Sequence, residues 1–323
     1  MRKSLLIVSL DFELFWGMQD VRTLNSYRDH ILGGRKAIPR LLKLFDKYGI
    51  HVTWATVGMM FAENKEQLLK YCPEDENRPT YDNSDLSCYR CLNGLGIDED
   101  DDPCFYGGSL IRAVKDDRNM EIGSHTFSHY YCREHGQTVE QFRTDLNAAR
   151  QIAEANGYKL TSLVLPRNQV EDNYIDVIKG LGFRAYRDEE NDWIHEKVKI
   201  RPLLRLFRLI DVYFPITGQG GYIPKKNNGV WNFPGSRMYK PYFKKLSFME
   251  GLKVRRIKRQ MLHAAKNGLV FHLWWHPHNI GVYTDFHLKQ LEEIFAYYEK
   301  LHDEYGMISF NMEEAADYFD CNM

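Results

Sequence analysis

The sequence has few cysteines and no long hydrophobic run. Six cysteines in 323 residues, without an export signal, predict reduced thiols and not a disulfide framework. No stretch approaches the roughly 18 apolar residues of a membrane-spanning helix, so we expect no integral membrane segment. The apolar run at 4–10 meets acidic residues before any small-residue cleavage site, which argues against a secretory signal. Together these absences favour a cytoplasmic protein.

The sequence also lacks an excess of charge of either sign. The formal net charge is -1, so no global charge indicates nucleic acid as a partner. The composition is 44% hydrophobic and 27% charged, which is typical of a folded domain with a sizeable core. A chain of this length can form one large domain, as α/β barrels commonly do.

Short apolar runs of strand length alternate with segments of helical periodicity. Strands are predicted at 4–10, 51–57, 119–124, 162–167, 183–187, 269–276 and 307–311. Helices are predicted at 36–48, 62–71, 108–116, 138–156, 172–181, 248–267, 285–304 and 312–319. This alternation predicts one α/β domain over 1–323, a distorted (β/α)7 barrel. A doubly wound open sheet is the alternative, but the turn after the first strand lacks its typical glycines.

Two segments are too long to be simple connections. Residues 72–107 and 193–247 are predicted to be insertions, the first of them over the barrel mouth. The first insertion contains four cysteines that could hold a structural zinc ion, although free thiols are favoured because the spacing is irregular: Cys72, Cys88, Cys91 and Cys104.

Polar side chains follow several of the predicted strands. These residues are Asp11 and Glu13 after the first strand, His125 and His129 after the third, Arg167 and Asn168 after the fourth, and His276 at the end of 269–276. The carboxyl ends of parallel strands in a barrel meet on one face. We therefore expect these side chains to lie together.

A metal site is predicted from three of these residues. His125 and His129 are four residues apart, so a turn of helix would place both imidazoles on one face. Glu13 adds a third ligand, and two histidines with one acid leave coordination positions open for water and substrate. A buried histidine bonded to a backbone carbonyl is the alternative for either imidazole. The expected cofactor is one divalent ion, zinc by default, although the same ligands accept cobalt, nickel or iron.

Four motifs occur in a characteristic order: SLDFE at 9–13, GSHTFSH at 123–129, LVLPRNQ at 163–169 and FHLWWHPHN at 271–279. In these motifs the chain resembles the NodB-homology polysaccharide deacetylases, carbohydrate esterase family four. The separation of Asp11 from Glu13 is similar to a branch of the family with a D-x-D/E first motif. The order Pro166-Arg167 departs from the common R-x-P form.

The resemblance implies a metal-dependent N-deacetylase acting on N-acetylated amino sugars of a polysaccharide, glycan precursor or glycoconjugate. It implies Glu13, His125 and His129 as metal ligands and Asp11 as general base. Arg167 would keep Asp11 ionised, and His276, chosen over His272 and His278, would protonate the leaving nitrogen. The residues expected to bind substrate are Asn168, Trp274, His278 and Asn279.

Other functions remain open at this stage. Relatives on the same fold branch imply hydrolysis of small ureide or formamide C–N bonds, which would release ammonia or formate. A sugar-binding relative without turnover is the third hypothesis, although the intact Asp11 argues against it. Two basic clusters either contact a lipid-linked or phosphate-linked sugar or form solvated faces: Arg201, Arg205 and Arg208, and Lys253, Arg255, Arg256, Lys258 and Arg259.

Overall fold

The computed structural model describes residues 3–190, 194 and 201–322, and it leaves out the side chains of Arg201 and Arg205. The remaining positions of the second predicted insertion, 193 and 195–200, lie outside the described residues. Of the first basic cluster, only the side chain of Arg208 is therefore described.

In the described part of the chain, a 10-stranded sheet has the order β6-β7-β5-β4-β3-β2-β1-β9-β8, with β10 beside β1. Neighbouring strands are parallel except for the hairpin of β6 and β7. The strands are β1 Leu5–Phe12, β2 Val52–Thr56, β3 Met120–Ser124, β4 Ser162–Val164, β5 Ala185–Arg187, β6 Lys225–Asn227, β7 Val230–Asn232, β8 Arg237–Met238, β9 Val270–Trp275 and β10 Ile308–Phe310.

Residues 230–238 close the curved sheet. At the start of this segment, the backbone N–H of Trp231 donates to the carbonyl of Arg184 beside β5 (2.8 Å). Further along, the N–H of Ser236 donates to the carbonyl of His272 in β9 (2.9 Å). One stretch of chain thus bonds to both edges, and the predicted distorted α/β barrel is confirmed. The closing strand comes from inside the segment that the sequence assigned to the second insertion.

Helices cover the sheet, and β1 is buried along its whole length, as expected for a parallel strand covered on both faces. None of the described helices combines the length and apolar composition needed to cross a bilayer. The helices are α1 Leu24–Lys47, α2 Lys65–Tyr71, α3 Gly108–Lys115, α4 Val139–Ala155, α5 Asp172–Gly180, α6 Arg201–Tyr213, α7 Glu250–Asn267, α8 Thr284–Tyr305 and α9 Met312–Asn322.

Helix α1 begins well before the predicted 36–48. The Thr23 side chain caps it by accepting a hydrogen bond from the backbone N–H of Ser26. Gly33, inside the helix, packs against the turn that follows β9, where an added Cβ would lie 2.0 Å from the carbonyl oxygen of Gly281. The close approach fixes the turn that carries His278.

Candidate metal centre

One cavity of about 240 Å³ lies at the carboxyl ends of β1, β3, β4 and β9. All of the site residues predicted from the sequence line it: Asp11, Glu13, His125, His129, Arg167, Asn168, Trp274, His276, His278 and Asn279. The position agrees with the rule that parallel barrels collect reactive side chains at this face.

Glu13, His125 and His129 form a buried group of metal-ligand type. Glu13 Oε2 lies 3.0 Å from His129 Nε2 and 3.4 Å from His125 Nε2. Two ligand atoms that bind one zinc ion at tetrahedral angles lie about 3.3 Å apart, so these separations fit a shared ion. In the described part of the chain, one group of three or more His, Cys, Asp or Glu has potential ligand atoms that all lie within 4.8 Å of one another. That group consists of Glu13, His125 and His129.

The hydrogen bonds around the group also fit a metal. Nδ1 of His125 donates to the Val164 carbonyl (2.8 Å), so in the neutral ring the lone pair of Nε2 faces Glu13. Glu13 Oε2 makes no hydrogen bond of good geometry with any described residue, although it is buried. A buried carboxylate oxygen without a donor is costly, and a cation held by the three residues would satisfy it.

The electrostatics keep the ligands in their binding forms. Burial raises the pKa of Glu13, but His276 and His129 outweigh it, so the pKa lies well below its usual value. Burial lowers the pKa of His129, and Glu13 offsets this only in part. An ionised carboxylate beside a neutral imidazole is the pair that a divalent ion requires.

The loop that carries the histidines is shaped by Asp145 of α4. Its carboxylate accepts from the backbone N–H groups of Phe127 (2.8 Å) and Ser128 (3.1 Å). Thr126 and His129 have positive φ angles of 64° and 56°. The prediction that one turn of helix aligns the two imidazoles is therefore wrong, because a loop with left-handed residues brings them together.

Asp11 is paired with Arg187, an arginine that the sequence analysis did not select. Arg187 Nη2 lies 2.7 Å from Asp11 Oδ2, and Nη1 donates to Ser9 Oγ (2.8 Å). Nε donates to Asn168 Oδ1 (2.9 Å), and the guanidinium lies 4.2 Å from the centre of the Trp274 ring. Burial raises the pKa of Asp11, but Arg187 and nearby histidines outweigh it and leave the pKa lowered.

Arg167 does not pair with Asp11, the role that the sequence analysis gave it. It forms ion pairs with Asp20 and with Glu134 (3.1 Å), and its guanidinium lies over the Tyr131 ring. Arg167 adopts a left-handed backbone conformation after Pro166, with a φ of 56°, so its side chain reaches the rim of the cavity. The predicted pairing of Arg167 with Asp11 is corrected to Arg187. The signal was available, since the predicted strand at 183–187 ends in an arginine at the same edge.

One histidine lies within β9 and two follow it, and the three differ in access to the cavity: His272, His276 and His278. His276 Nε2 lies 3.6 Å from Asp11 Oδ2, and its side chain is 20% exposed. His272 is fully buried, with hydrogen bonds to Ser9 Oγ (2.8 Å) and the Phe233 carbonyl (3.0 Å). His278 is buried, and burial together with His276 lowers its pKa to about 3. His276 is the one of the three that is both near Asp11 and open to the cavity.

The comparisons with known proteins agree with this geometry. Residues 29–186 match the family model described as polysaccharide deacetylase. Over these residues, just under half of the chain, the sequence matches the polysaccharide deacetylase family. The matched residues include His125 and His129 but neither Asp11 nor Glu13. The acidic residues are therefore placed in the site by the structure, independently of the family match.

The fold of the chain is similar to that of several solved structures. One is described as a polysaccharide deacetylase from Mycobacterium smegmatis, with a TM-score of 0.63 at 13% identity over 99% of this chain and 91% of that one. Another, from Pseudomonas aeruginosa PAO1, has a TM-score of 0.57 at 14% identity over 98% and 90%. A GH57-type branching enzyme from Pyrococcus horikoshii scores 0.52 at 12% identity over 98% and 70%. At such low sequence identities, these similarities show a shared fold and do not show a shared function. No curated protein matches the chain.

Gly17 is a further residue of the candidate site that sequence reasoning missed. An added Cβ at Gly17 would lie 2.3 Å from the carboxyl carbon of Glu13. Any larger residue would therefore displace the carboxylate from the two imidazoles. A glycine shortly after the acidic motif was the visible signal.

The cysteines of the first insertion form no metal group among the described residues. Cys88 is buried and its thiol donates to the Trp16 carbonyl (2.9 Å). Burial raises the pKa of Cys72 to about 11 and that of Cys88 well above its usual value. Both are thus protonated thiols, which supports the free-thiol interpretation.

Proposed function

We propose that the chain is a metal-dependent hydrolase that removes N-acetyl groups from N-acetylated amino sugars of a polysaccharide, glycan precursor or glycoconjugate. The family match supports deacetylase chemistry. The observation that carries the proposal is the Glu13, His125 and His129 group with Asp11 in the same cavity. Zinc is the proposed ion, with cobalt, nickel or iron as alternatives.

Glu13, His125 and His129 would hold the ion, which when bound polarises the acetamido carbonyl and lowers the pKa of water. Asp11 acts as the base. Its Oδ2 is engaged by Arg187, whereas its buried Oδ1 has no hydrogen-bond partner among the described residues. Arg187 therefore orients the carboxylate so that Oδ1 is the atom that accepts the proton of the attacking water.

His276 is the proposed general acid. Its Nε2 lies 3.6 Å from Asp11 Oδ2 and 3.7 Å from Glu13 Oε1, so this nitrogen faces the cavity, and the Asn279 side chain lies 3.3 Å from Nδ1. In the imidazolium form, protonated on both nitrogens, His276 would donate the Nε2 proton. Transfer of a proton to the sugar nitrogen makes the amine a better leaving group and yields acetate and a free amino sugar. Asn168, Trp274, His278 and Asn279 line the same cavity and are proposed to contact the sugar.

Acetate release from N-acetylglucosamine and its oligomers tests the proposal. Protein loaded in turn with zinc, cobalt, nickel or iron is expected to release acetate, and a chelator is expected to abolish the release. Ammonia or formate from small ureides or formamides would instead assign the alternative hydrolase. Sugar binding without turnover by any metal-loaded form would contradict the proposal and favour the sugar-binding alternative.

Arg187→Met is expected to weaken both folding and turnover. Removal of one partner from a buried ion pair costs about 3–5 kcal/mol of unfolding free energy, and we expect kcat for acetate release to fall by roughly 100-fold because Asp11 loses its orientation. Denaturant unfolding and steady-state kinetics measure the two effects. Arg187→Lys keeps the charge, so it is expected to recover part of kcat, which a purely structural role would not explain.

The matched control is Arg184→Met. Arg184 immediately precedes β5, the strand that ends in Arg187. Arg184 is 38% exposed and pairs with Asp317 and Asp320, so its loss is expected to cost about 1 kcal/mol or less and to leave kcat unchanged. An Arg187→Met protein with the kcat of the unsubstituted protein would show that Arg187 does not position the base.

A further inference from the structure

A second, larger cavity adjoins the metal centre. It has a volume of about 420 Å³ and shares four lining residues with the cavity of the metal centre: Arg167, Asn168, Met238 and Trp274. Its size is within the usual range of small-molecule sites. Because the two cavities have walls in common, a ligand whose acetamido group lies at the metal centre can extend into the second cavity.

Charged side chains dominate the second cavity. Five basic and three acidic residues line it: Arg133, Arg167, Arg208, Arg237 and Lys240, with Glu189, Glu190 and Asp211. The acids already have partners. Asp211 pairs with Arg237 (2.7 Å) and Arg256 (2.8 Å), Glu189 lies 3.4 Å from Arg133, and Glu190 accepts from the backbone N–H of Met238 (3.0 Å).

Two of the cations, Arg208 and Lys240, form no ion pair with an acid in the part of the chain that the structure describes. The ammonium of Lys240 donates to the sulfur of Met238 (3.0 Å), and a thioether is a weak acceptor. Arg208, on the exposed side of α6, forms no hydrogen bond or ion pair with any described residue. Burial lowers the pKa of Lys240, and although Glu190 raises it, Arg208 and Arg237 lower it further. The described lining of the second cavity therefore has two more basic than acidic residues.

Basic residues elsewhere in the same region do not share this property. Lys253 is buried and pairs with Glu250 (2.6 Å), and Arg256 is held by Asp211. These two members of the second basic cluster are buried and paired, so they do not belong to a solvated face. The contrast indicates that Arg208 and Lys240 are available for a ligand.

We propose that Arg208 and Lys240 bind a phosphate ester group carried by the acetylated sugar, so that the substrate is a phosphorylated or phosphate-linked amino sugar. The inference rests on the proposed deacetylase function. A phosphate offers several acceptor oxygens at once, which a guanidinium and an ammonium can engage together. Sugar 1-phosphates, nucleoside-diphosphate sugars and polyprenyl-phosphate sugars all share this chemistry.

The inference is tested by measuring sugar binding to a variant that is expected not to hydrolyse the sugar. Metal-loaded Asp11→Asn protein is titrated with N-acetylglucosamine 1-phosphate and with N-acetylglucosamine by calorimetry. We expect the phosphorylated sugar to bind at least roughly 10-fold more tightly, with an affinity that falls as salt increases. Adding Arg208→Gln and Lys240→Gln is expected to reduce this preference toward one. Arg208→Gln alone, at an exposed position, keeps the test available if the double substitution impairs folding.

Arg255→Gln is the matched control, because Arg255 is an exposed cation on α7 that does not line the cavity. It is expected to keep the full preference for the phosphorylated sugar. Nucleoside-diphosphate and polyprenyl-phosphate forms of the sugar are titrated in parallel, and tighter binding of either than of the neutral sugar supports the inference and identifies the source of the phosphate.

The inference and the proposed function fail separately. Equal affinities for the phosphorylated and neutral sugars, or an unchanged preference after both substitutions, would overturn the phosphate site while acetate release still supported the hydrolase. A clear phosphate preference together with no acetate release from any of these sugars would contradict the hydrolase and leave the phosphate site supported.

Discussion

His125→Ala and His129→Ala are each expected to lose the bound ion and acetate release together. Both imidazoles present Nε2 to the Glu13 carboxylate at 3.0–3.4 Å, so removal of either leaves two ligands. Partners outside the ligand shell of a metal typically contribute 10- to 100-fold in affinity, and loss of a ligand is expected to exceed roughly 100-fold. Metal analysis of the purified variants and acetate release at limiting zinc measure the two quantities.

The control for the histidine variants is His302→Ala. His302 lies on the exposed side of α8, bonds to the Met307 carbonyl (2.9 Å) and does not line the cavity of the candidate metal centre. This variant is expected to keep both metal and activity. A His125→Ala or His129→Ala protein that still copurifies with one equivalent of metal would show that the ion binds elsewhere.

The grouping of the three proposed metal ligands could be predicted from the sequence because their positions follow from the fold. Glu13 and His125 each follow a strand that is short, apolar and recognisable, and the carboxyl ends of parallel strands converge. The spacing of the two histidines was also informative, although for another reason than the helical turn. The loop geometry depends on Asp145, which lies in a different element, and local spacing does not reveal such a contact.

The partner of Asp11 could not be predicted from the local motif. Pro166-Arg167 has the composition of the expected motif, but the left-handed conformation of Arg167 turns its side chain to Asp20. The pairing instead depends on the register of β5, which places Arg187 fully buried behind Asp11. Register is set by interactions across the sheet, so a single sequence gives it only indirectly.

The strand that closes the barrel was missed for a similar reason. Residues 230–238 include glycine, proline and polar residues, which favour turns, and they bond to β5 and then to β9. Hydrogen bonds to two neighbouring edges stabilise this segment more than its own propensity does.

The early start of α1 could not be predicted because of Gly33 and Gly34. Glycines are poor helix formers, but these two allow close contact with the turn after β9.

Asp11→Asn is expected to keep the metal ion and to lose most turnover. Glu13, His125 and His129 are untouched, so metal content should match that of the unsubstituted protein. The oxygen of the asparagine amide is a much weaker base than a carboxylate oxygen. Loss of a general base typically reduces kcat by about 10²–10⁴-fold. Some loss of stability accompanies this, because the buried Arg187 loses its charged partner.

Metal content and kcat together distinguish a base from a ligand. Asp285→Asn, at an 89% exposed carboxylate that pairs with Arg40, is the control and is expected to change neither quantity. If Asp11→Asn lost its metal, Asp11 would be a ligand, and if it kept normal kcat, the base would be another group. Retained metal with a kcat reduced at least roughly 100-fold would show that the carboxylate beside Arg187 carries out proton transfer, while the neighbouring carboxylate of Glu13 binds the ion.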